Sequence, residues 1–395
     1  MSVTHRLMRG LIGLGLIPAL LVLALLKRLI HFRLCIIGVQ RFGHLSLEPE
    51  VHLCLTKLEK RATWPWQITL WSFGRPSIQS NRELAKLWRS EVGLSPGRLV
   101  GALNLAGELV PRLAIDRIPL SIHGPKNVLD RTESILGKRV KGVKSGILDQ
   151  LGIPTDGKFV CLTIRDGSYY AATGMSESAG YQLINFDAKV FVEACEYLVA
   201  EGFTVVRVGT PTPNPMPEMK GVIDYANLPL RSEVNDVVLM RECSFMVSTQ
   251  TGPDALALAL RKPVLYIDTV VLSQFFLGTK LATWNPRKFL AESSVTPLSL
   301  DELLQSQFAW LKSPDDFLKS RYIFERSSSG EVANLVKSFV DEWRGVAVDD
   351  LINVRAEVNH RMTAAFGTNG QLRWGDVTAK INGWWLTNNS DWFLR

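Results

Sequence analysis

The segment Cys243–Asp268, CSFMVSTQTGPDALALALRKPVLYID, constrains the fold more than any other stretch of the chain. Its apolar start, Phe245-Met246-Val247, has the character of a parallel strand buried on both faces. Ser248, Thr249, Gln250 and Thr251 then place hydroxyls and an amide where that strand should end. Gly252 permits a tight turn, Pro253 suits the first position of a helix, and Ala255–Leu260 are strong helix formers. Lys262-Pro263 stops the helix, and Val264–Ile267 reads as the next strand. An ordinary βαβ crossover with a polar loop shares this local pattern. Ligands in such sheets, however, sit at the carboxyl ends of strands, where unpaired N–H groups and the helix dipole point outward together. The stretch Ser248–Asp254 is therefore expected to bind an anion, with the Asp254 carboxylate in the first helical turn also complementing the dipole.

The rest of the chain alternates strands and helices around this unit, which predicts an α/β fold with parallel sheets. Leu34–Val39 reads as a first strand, followed by a turn at Arg41-Phe42-Gly43-His44 and an amphipathic helix from Pro49. Ile68–Phe73 reads as a second strand, and Asn81–Glu91 as a helix. A basic, glycine-punctuated stretch then leads to a domain junction within Gly142–Gly157. Phe159–Ile164 begins a second α/β series and ends in Arg165-Asp166-Gly167. Ala171–Gln182 has little to bury and reads as an active-site loop. Asp187–Glu201 reads as a helix, Phe203–Val208 as a strand ending at Gly209, and Val222–Tyr225 as a short strand. Between these two strands, four prolines mark an extended loop. Glu233–Glu242 is a helix leading into the opening segment, and Asp301–Leu311 and Glu331–Trp343 are helices beyond it. The tail carries Trp374, Trp384, Trp385 and Trp392; an aromatic clamp on the domains or on a membrane interface is favoured over direct sugar stacking. The expected divisions are 1–32, 33–150, 151–345 and 346–395.

Residues Gly10–Leu26 carry no charge. As a helix they span roughly 25 Å, just short of a bilayer core. A cleaved signal peptide, a signal-anchor helix and a helix lying in the membrane interface compete here; Gly10, Gly13, Gly15 and Pro18 weaken a spanning helix. Basic residues on the C-terminal side of the run favour cytoplasmic catalytic domains at a bacterial inner membrane. The net charge of +7 suits anionic partners. Nucleic acid is not expected, since zinc-finger, RNP and basic-helix patterns are missing. The five cysteines are scattered without metal-ligand spacing, which argues against a disulfide framework.

Three segments together carry a family resemblance. RFGHLSLEPEVHL after the first strand, FVCLTIRDGSYYA, and GVIDYANLPLRSEVNDVVLMRECSFMVSTQTGPDALALALRKPVLYID resemble, in order, segments of a family of bacterial proteins assigned as glycosyltransferases. TGPDALALALRKPV also resembles a segment of lipopolysaccharide heptosyltransferases. That resemblance implies a GT-B architecture: two Rossmann-like domains facing a cleft, acceptor half first and donor half second, here preceded by an N-terminal hydrophobic helix. It implies a nucleotide-sugar donor, a glycan or lipid-linked acceptor, and no metal or other cofactor. Two positions depart from the pattern. His44 stands where heptosyltransferases carry an aspartate thought to act as base, and Thr163-Ile164-Arg165 stands where a His-Val-Arg sequence is common.

Glycosyl transfer needs a base for the acceptor hydroxyl and cationic help for the departing diphosphate. His44 is the expected base, with Glu48 and Glu50 in reserve and Arg41 and Gly43 beside it. Arg165 and Arg231 are the expected cations, and Asp166 could orient an arginine or the acceptor. Thr249, Thr251 and Gly252 would hold the diphosphate, with Ser248, Gln250 and Asp254 around them. Asp224 could bind ribose or base, or else cap the following turn; Gly209, Tyr225 and Ser232 line the same expected site. A sugar-nucleotide epimerase, or a binding module without turnover, would need the same diphosphate grip.

Overall fold

The computed structural model describes residues 15, 17–26, 29–58, 66–73, 79–110, 116–117, 127–154, 157–174, 177–270, 272, 277–291, 296–306, 315–316, 322–346, 349–368 and 376–394. The chain divides into two compact units, Met1–His123 and Gly124–Arg395. The sequence places this junction near residue 150, but residues 128–150 belong to the second unit. Its side chains hold them there: Arg241 donates to the carbonyls of Val140 and Val143, and Ser134 donates to the carbonyl of Ala259.

The first unit contains a parallel three-stranded sheet of β1 (Ile30–Ile36), β2 (Trp66–Ser72) and β3 (Asp116–Arg117), with β1 in the middle. Among the described residues, the helices beside it are α1 (Ile17–Leu26), α2 (Phe42–Leu58), α3 (Arg82–Val92) and α4 (Gly97–Leu109). Leu20 of α1 packs with Leu34 of β1 and with Val100, Leu103 and Ala106 of α4. Residues 10–14 and 16 of the uncharged N-terminal run lie outside the described residues. Among the described residues, no helix is long and apolar enough to cross a membrane.

Helix α2 begins at Phe42, not at Pro49, so the expected turn at Arg41–His44 is instead its first turn. A proline inside a helix leaves the carbonyl four residues earlier without its N–H donor. Here that carbonyl belongs to Leu45, and the buried Trp88 indole N–H of α3 donates to it at 2.7 Å. The helix continues because a side chain replaces the missing backbone donor. Asn81 caps α3 as its sequence position predicts, accepting from the Leu84 N–H at 2.8 Å.

The second unit is built on a seven-stranded, wholly parallel sheet. Its strands are β4 (Phe159–Thr163), β5 (Thr204–Arg207), β6 (Val222–Ile223), β7 (Met246–Ser248), β8 (Val264–Thr269), β9 (Ala282–Pro286) and β12 (Lys380–Ile381). A separate antiparallel pair joins β10 (Lys288–Ala291) to β11 (Tyr322–Glu325). Across the large sheet the order is β6-β5-β4-β7-β8-β9-β12. Renumbered within the unit, the first six strands run 3-2-1-4-5-6, the doubly wound Rossmann order, with its switch point between β4 and β7. Both strands are fully buried and apolar up to their last residues, Thr163 and Ser248, as strands covered on both faces must be.

The helices around this sheet include α5 (Ser168–Thr173), α6 (Ala179–Leu183), α7 (Val192–Ala200), α8 (Glu233–Glu242), α9 (Gly252–Ala259), α10 (Ser329–Trp343) and α11 (Gly383–Asn388). The segment expected as an active-site loop at 171–182 thus overlaps two short helices. The tryptophan-rich tail supplies an edge strand: β12 pairs with β9, and Asn382 donates to the carbonyls of Trp284 and Leu335. Trp385 and Trp392 pack edge to face at 4.9 Å, while Trp374 lies outside the described residues. All five cysteines are buried, and none of them forms a disulfide.

Candidate functional site

At the switch point of the large sheet, the carboxyl ends of β4 and β7 are laced together. Thr163 and Ser248 are register partners on the two strands. Just beyond them the Arg165 N–H donates to the Thr249 hydroxyl at 2.8 Å, and the Thr251 hydroxyl donates to that of Thr163 at 3.0 Å. Gln250 takes a left-handed backbone with φ of 59°, and its side-chain oxygen accepts from the Val270 N–H. The loop is therefore rigid, and its hydroxyls already hold one another.

Asp254 completes this arrangement from within. Its carboxylate accepts from the Ser248 hydroxyl at 2.8 Å and from the Thr251 N–H at 2.6 Å. Burial pushes the Asp254 carboxyl up to about 7, while hydrogen bonds from Ser248, Thr251, Tyr266 and Ala255 pull the other way. Two N–H groups at the start of α9, those of Thr251 and Ala255, are thus taken up by the chain's own carboxylate. Of the residues expected to grip an anion here, Ser248 and Thr249 are buried, and Gly252 opens α9.

The cation at this point is Arg165. Its guanidinium stacks 4.7 Å from the Tyr181 ring centroid and 5.6 Å from that of Tyr170, and also donates to the Tyr170 hydroxyl. Its Nε is buried with no hydrogen-bond partner among the described residues. Aromatic faces hold an arginine without neutralising it, which leaves the charge available to a ligand. Asp166 does not pair with Arg165. One of its oxygens accepts from Ser168, through both N–H and hydroxyl, and the other from Arg207 at 2.8 Å.

Arg207, at the end of β5, is the hub that sequence reasoning missed. It is buried and joins Asp166 to Asp224, the latter at 3.4 Å. The same Asp224 oxygen also accepts from the Met216 N–H and the Asn227 amide. Arg207 was hidden inside a run legible only as a strand. Arg231 donates to the Gly209 carbonyl at 2.7 Å and lies 3.5 Å from Asp236. Gly209 has φ of 138°, a backbone that favours glycine. The Tyr225 hydroxyl donates to Asp236 and accepts from the Ser232 N–H, while Ser232 caps α8. Burial pushes the Asp236 carboxyl up to about 6, against the pull of Arg231 and Tyr225. Arg231, Tyr225 and Ser232 thus form one bracket that positions the Gly209 end of β5.

In the first unit, the start of α2 presents a second constellation. His44 Nδ1 lies 2.5 Å from the Glu48 carboxylate, with His44 partly exposed and Glu48 buried. Burial raises the Glu48 carboxyl above its ordinary value, and the hydrogen bond from His44 pulls it down. An imidazole held through Nδ1 by a carboxylate leaves Nε2 as its accepting atom, the arrangement of an oriented general base. Gly38, two residues past the end of β1, makes room for it: a β-carbon there would lie 3.3 Å from that of His44. Glu50 is fully buried beside Cys54, whose thiol donates to it, so it does not share the exposure of His44. Arg41 is exposed immediately before α2, and Gly43 lies in its first turn. The four-residue spacing of His44 and Glu48 is visible in the sequence, but it becomes a pair only once the helix starts before Pro49. Among the described residues, no group of three or more His, Cys, Asp or Glu side chains is placed to hold a metal.

No family model matches the sequence, and no curated protein matches it significantly. Among solved structures, the chain is similar to a family 9 glycosyl transferase of Veillonella parvula, at 11% identity and TM-score 0.40, over 74% of this chain and 96% of that one. It is also similar to the E. coli ADP-heptose lipopolysaccharide heptosyltransferase II, at 13% identity and TM-score 0.34, over 65% and 90% of the two chains. A third is the S. aureus MnaA–UDP complex, at 12% identity and TM-score 0.31, over 82% and 98%.

Proposed function

We propose that this chain is a membrane-associated glycosyltransferase that moves a sugar from a nucleotide-sugar donor to a glycan or lipid-linked acceptor without a metal. The observation that carries this reading is the placing of the ring-stacked Arg165 beside a rigid hydroxyl loop at the switch point of a sheet in Rossmann order. Such a point takes the diphosphate of a nucleotide, and Arg165 supplies the charge that the leaving group needs. Because Asp254 occupies part of the start of α9, the guanidinium carries more of that role than the helix terminus does. In the first unit, His44 accepts the proton of the acceptor hydroxyl through Nε2, and Glu48 stabilises the resulting imidazolium. The acceptor oxygen then bonds to the anomeric carbon, whose bond to the diphosphate oxygen breaks, and the electron pair leaves with the nucleotide. The basic residues that follow the uncharged run support a reading in which both units lie on the cytoplasmic side of a bacterial inner membrane, with the N-terminal segment providing attachment.

The test is donor turnover followed by mass spectrometry, with and without extracted membrane lipids. His44→Ala should lower acceptor-dependent turnover by about 10²–10⁴-fold while leaving donor binding intact. Conversion of the nucleotide sugar without acceptor would replace this reading with an epimerase. Binding without any turnover would replace it with a non-catalytic module.

A further inference from the structure

Helix α1 has an unusual surface. Ile17–Leu26 contains no polar side chain, and only Leu20 is fully buried. Leu21 is 48% exposed, Val22 56%, Leu25 80% and Leu29, just beyond the helix, 61%. A helix packed on a water-facing domain normally turns polar residues outward, and a contiguous apolar face marks an interaction site. Charge indicates what covers it. From Met1 to Leu47 the sequence has no aspartate or glutamate, while Arg6, Arg9, Lys27, Arg28, Arg33 and Arg41 are all cationic. An apolar helix face within a stretch of sequence that is cationic and free of acids matches a bilayer whose surface is anionic.

The packing also limits how that bilayer is met. Leu20 is held by Val100, Leu103 and Ala106 of α4 and by Leu34 of β1, and β1 begins at Ile30, immediately after Leu29. A helix crossing the bilayer would strip these core residues of their cover. We propose that α1 stays docked on the first unit and lies in the plane of an anionic membrane surface, with Leu21, Val22, Leu25 and Leu29 inserted among the acyl chains. This deepens the membrane part of the proposed function and does not depend on the chemistry assigned to either unit.

The experiment is flotation of the full chain with vesicles of phosphatidylcholine alone, or of phosphatidylcholine with phosphatidylglycerol. The chain should float with the anionic vesicles, and less so at high salt. Leu25→Glu and Leu29→Glu should each weaken that binding about tenfold or more, with the circular-dichroism melt and nucleotide-sugar binding unchanged. For depth, bimane attached at Ala19→Cys and at Leu25→Cys should be quenched alike by lipids brominated near the headgroup. Strong quenching of the first by lipids brominated at the chain ends, with the second remaining shallow, would mean a spanning helix and overturn the proposal. Flotation unaffected by both glutamates, flotation indifferent to lipid charge, or a lipid-free dimer that either glutamate dissociates would overturn it as well. Loss of flotation alone would leave the glycosyl-transfer reading standing, since donor binding is measured on the same protein without lipid.

Discussion

Single residues in this chain do more than their types announce. Arg165 is held by two tyrosine faces, so replacing its planar fork with a point charge should not preserve it. Arg165→Lys is expected to weaken nucleotide-sugar binding about tenfold by calorimetry; equal affinity would remove stacking from the account. Two buried groups give opposite pH signatures. Burial, with Arg33 adding, pushes His52 from 6.5 down to about 4. The unfolded chain therefore binds a proton that the folded chain refuses, and stability present above pH 6.5 is lost as pH falls towards 4, on the order of 1–3 kcal/mol. His52→Phe should flatten that acid loss in urea titrations; an unaltered slope would contradict it. Asp254, raised from 3.8 to about 7 by burial, behaves the other way: its contribution is present below 3.8 and lost as pH rises through 7. Asp254→Asn should lessen the loss of stability between pH 4 and 7, and an unchanged slope there would refute the assignment.

At the scale of elements, helix α2 shows where local rules are overruled. Pro49 looks like a helix start, and the sequence supports that reading until Trp88, thirty-nine positions away, supplies a donor for the Leu45 carbonyl. Only tertiary structure reveals such a replacement, and with it the His44–Glu48 pair. Trp88→Phe should destabilise the first unit by about 1–3 kcal/mol, because it leaves a buried carbonyl unpaired as well as altering packing. In a Pro49→Ala background, where residue 49 regains its N–H, the same change should cost clearly less. Strictly additive losses in this double-mutant cycle would rule out the compensation. Strands β4 and β7 were legible for the opposite reason, since continuous apolar runs ending in polar turns have few other uses. Arg207 was not legible, because an arginine within a strand reads as an edge or surface residue until its two carboxylate partners are placed.

Across the molecule, alternation of strands and helices announces a parallel α/β chain, but not which strands are neighbours. That order depends on contacts distant in sequence, and here it turns a polar loop into the switch point of a Rossmann sheet. The junction between units was misplaced because helices near 128–150 owe their allegiance to Arg241 and Ala259, far along the chain. The tail was legible as a packing element but not as the seventh strand, since two residues, Lys380-Ile381, carry too little pattern to announce β12. We propose that this switch point holds a nucleotide sugar through Arg165. The most direct measurement is saturation-transfer NMR of the full chain against UDP-, GDP-, ADP- and CMP-sugars, with Arg165→Ala beside it. Transfer to one nucleotide class is expected, lost in Arg165→Ala while the variant's fold is retained. No transfer to any of them, or the same transfer in the variant, would contradict it and leave the Ser248–Asp254 loop a structural turn.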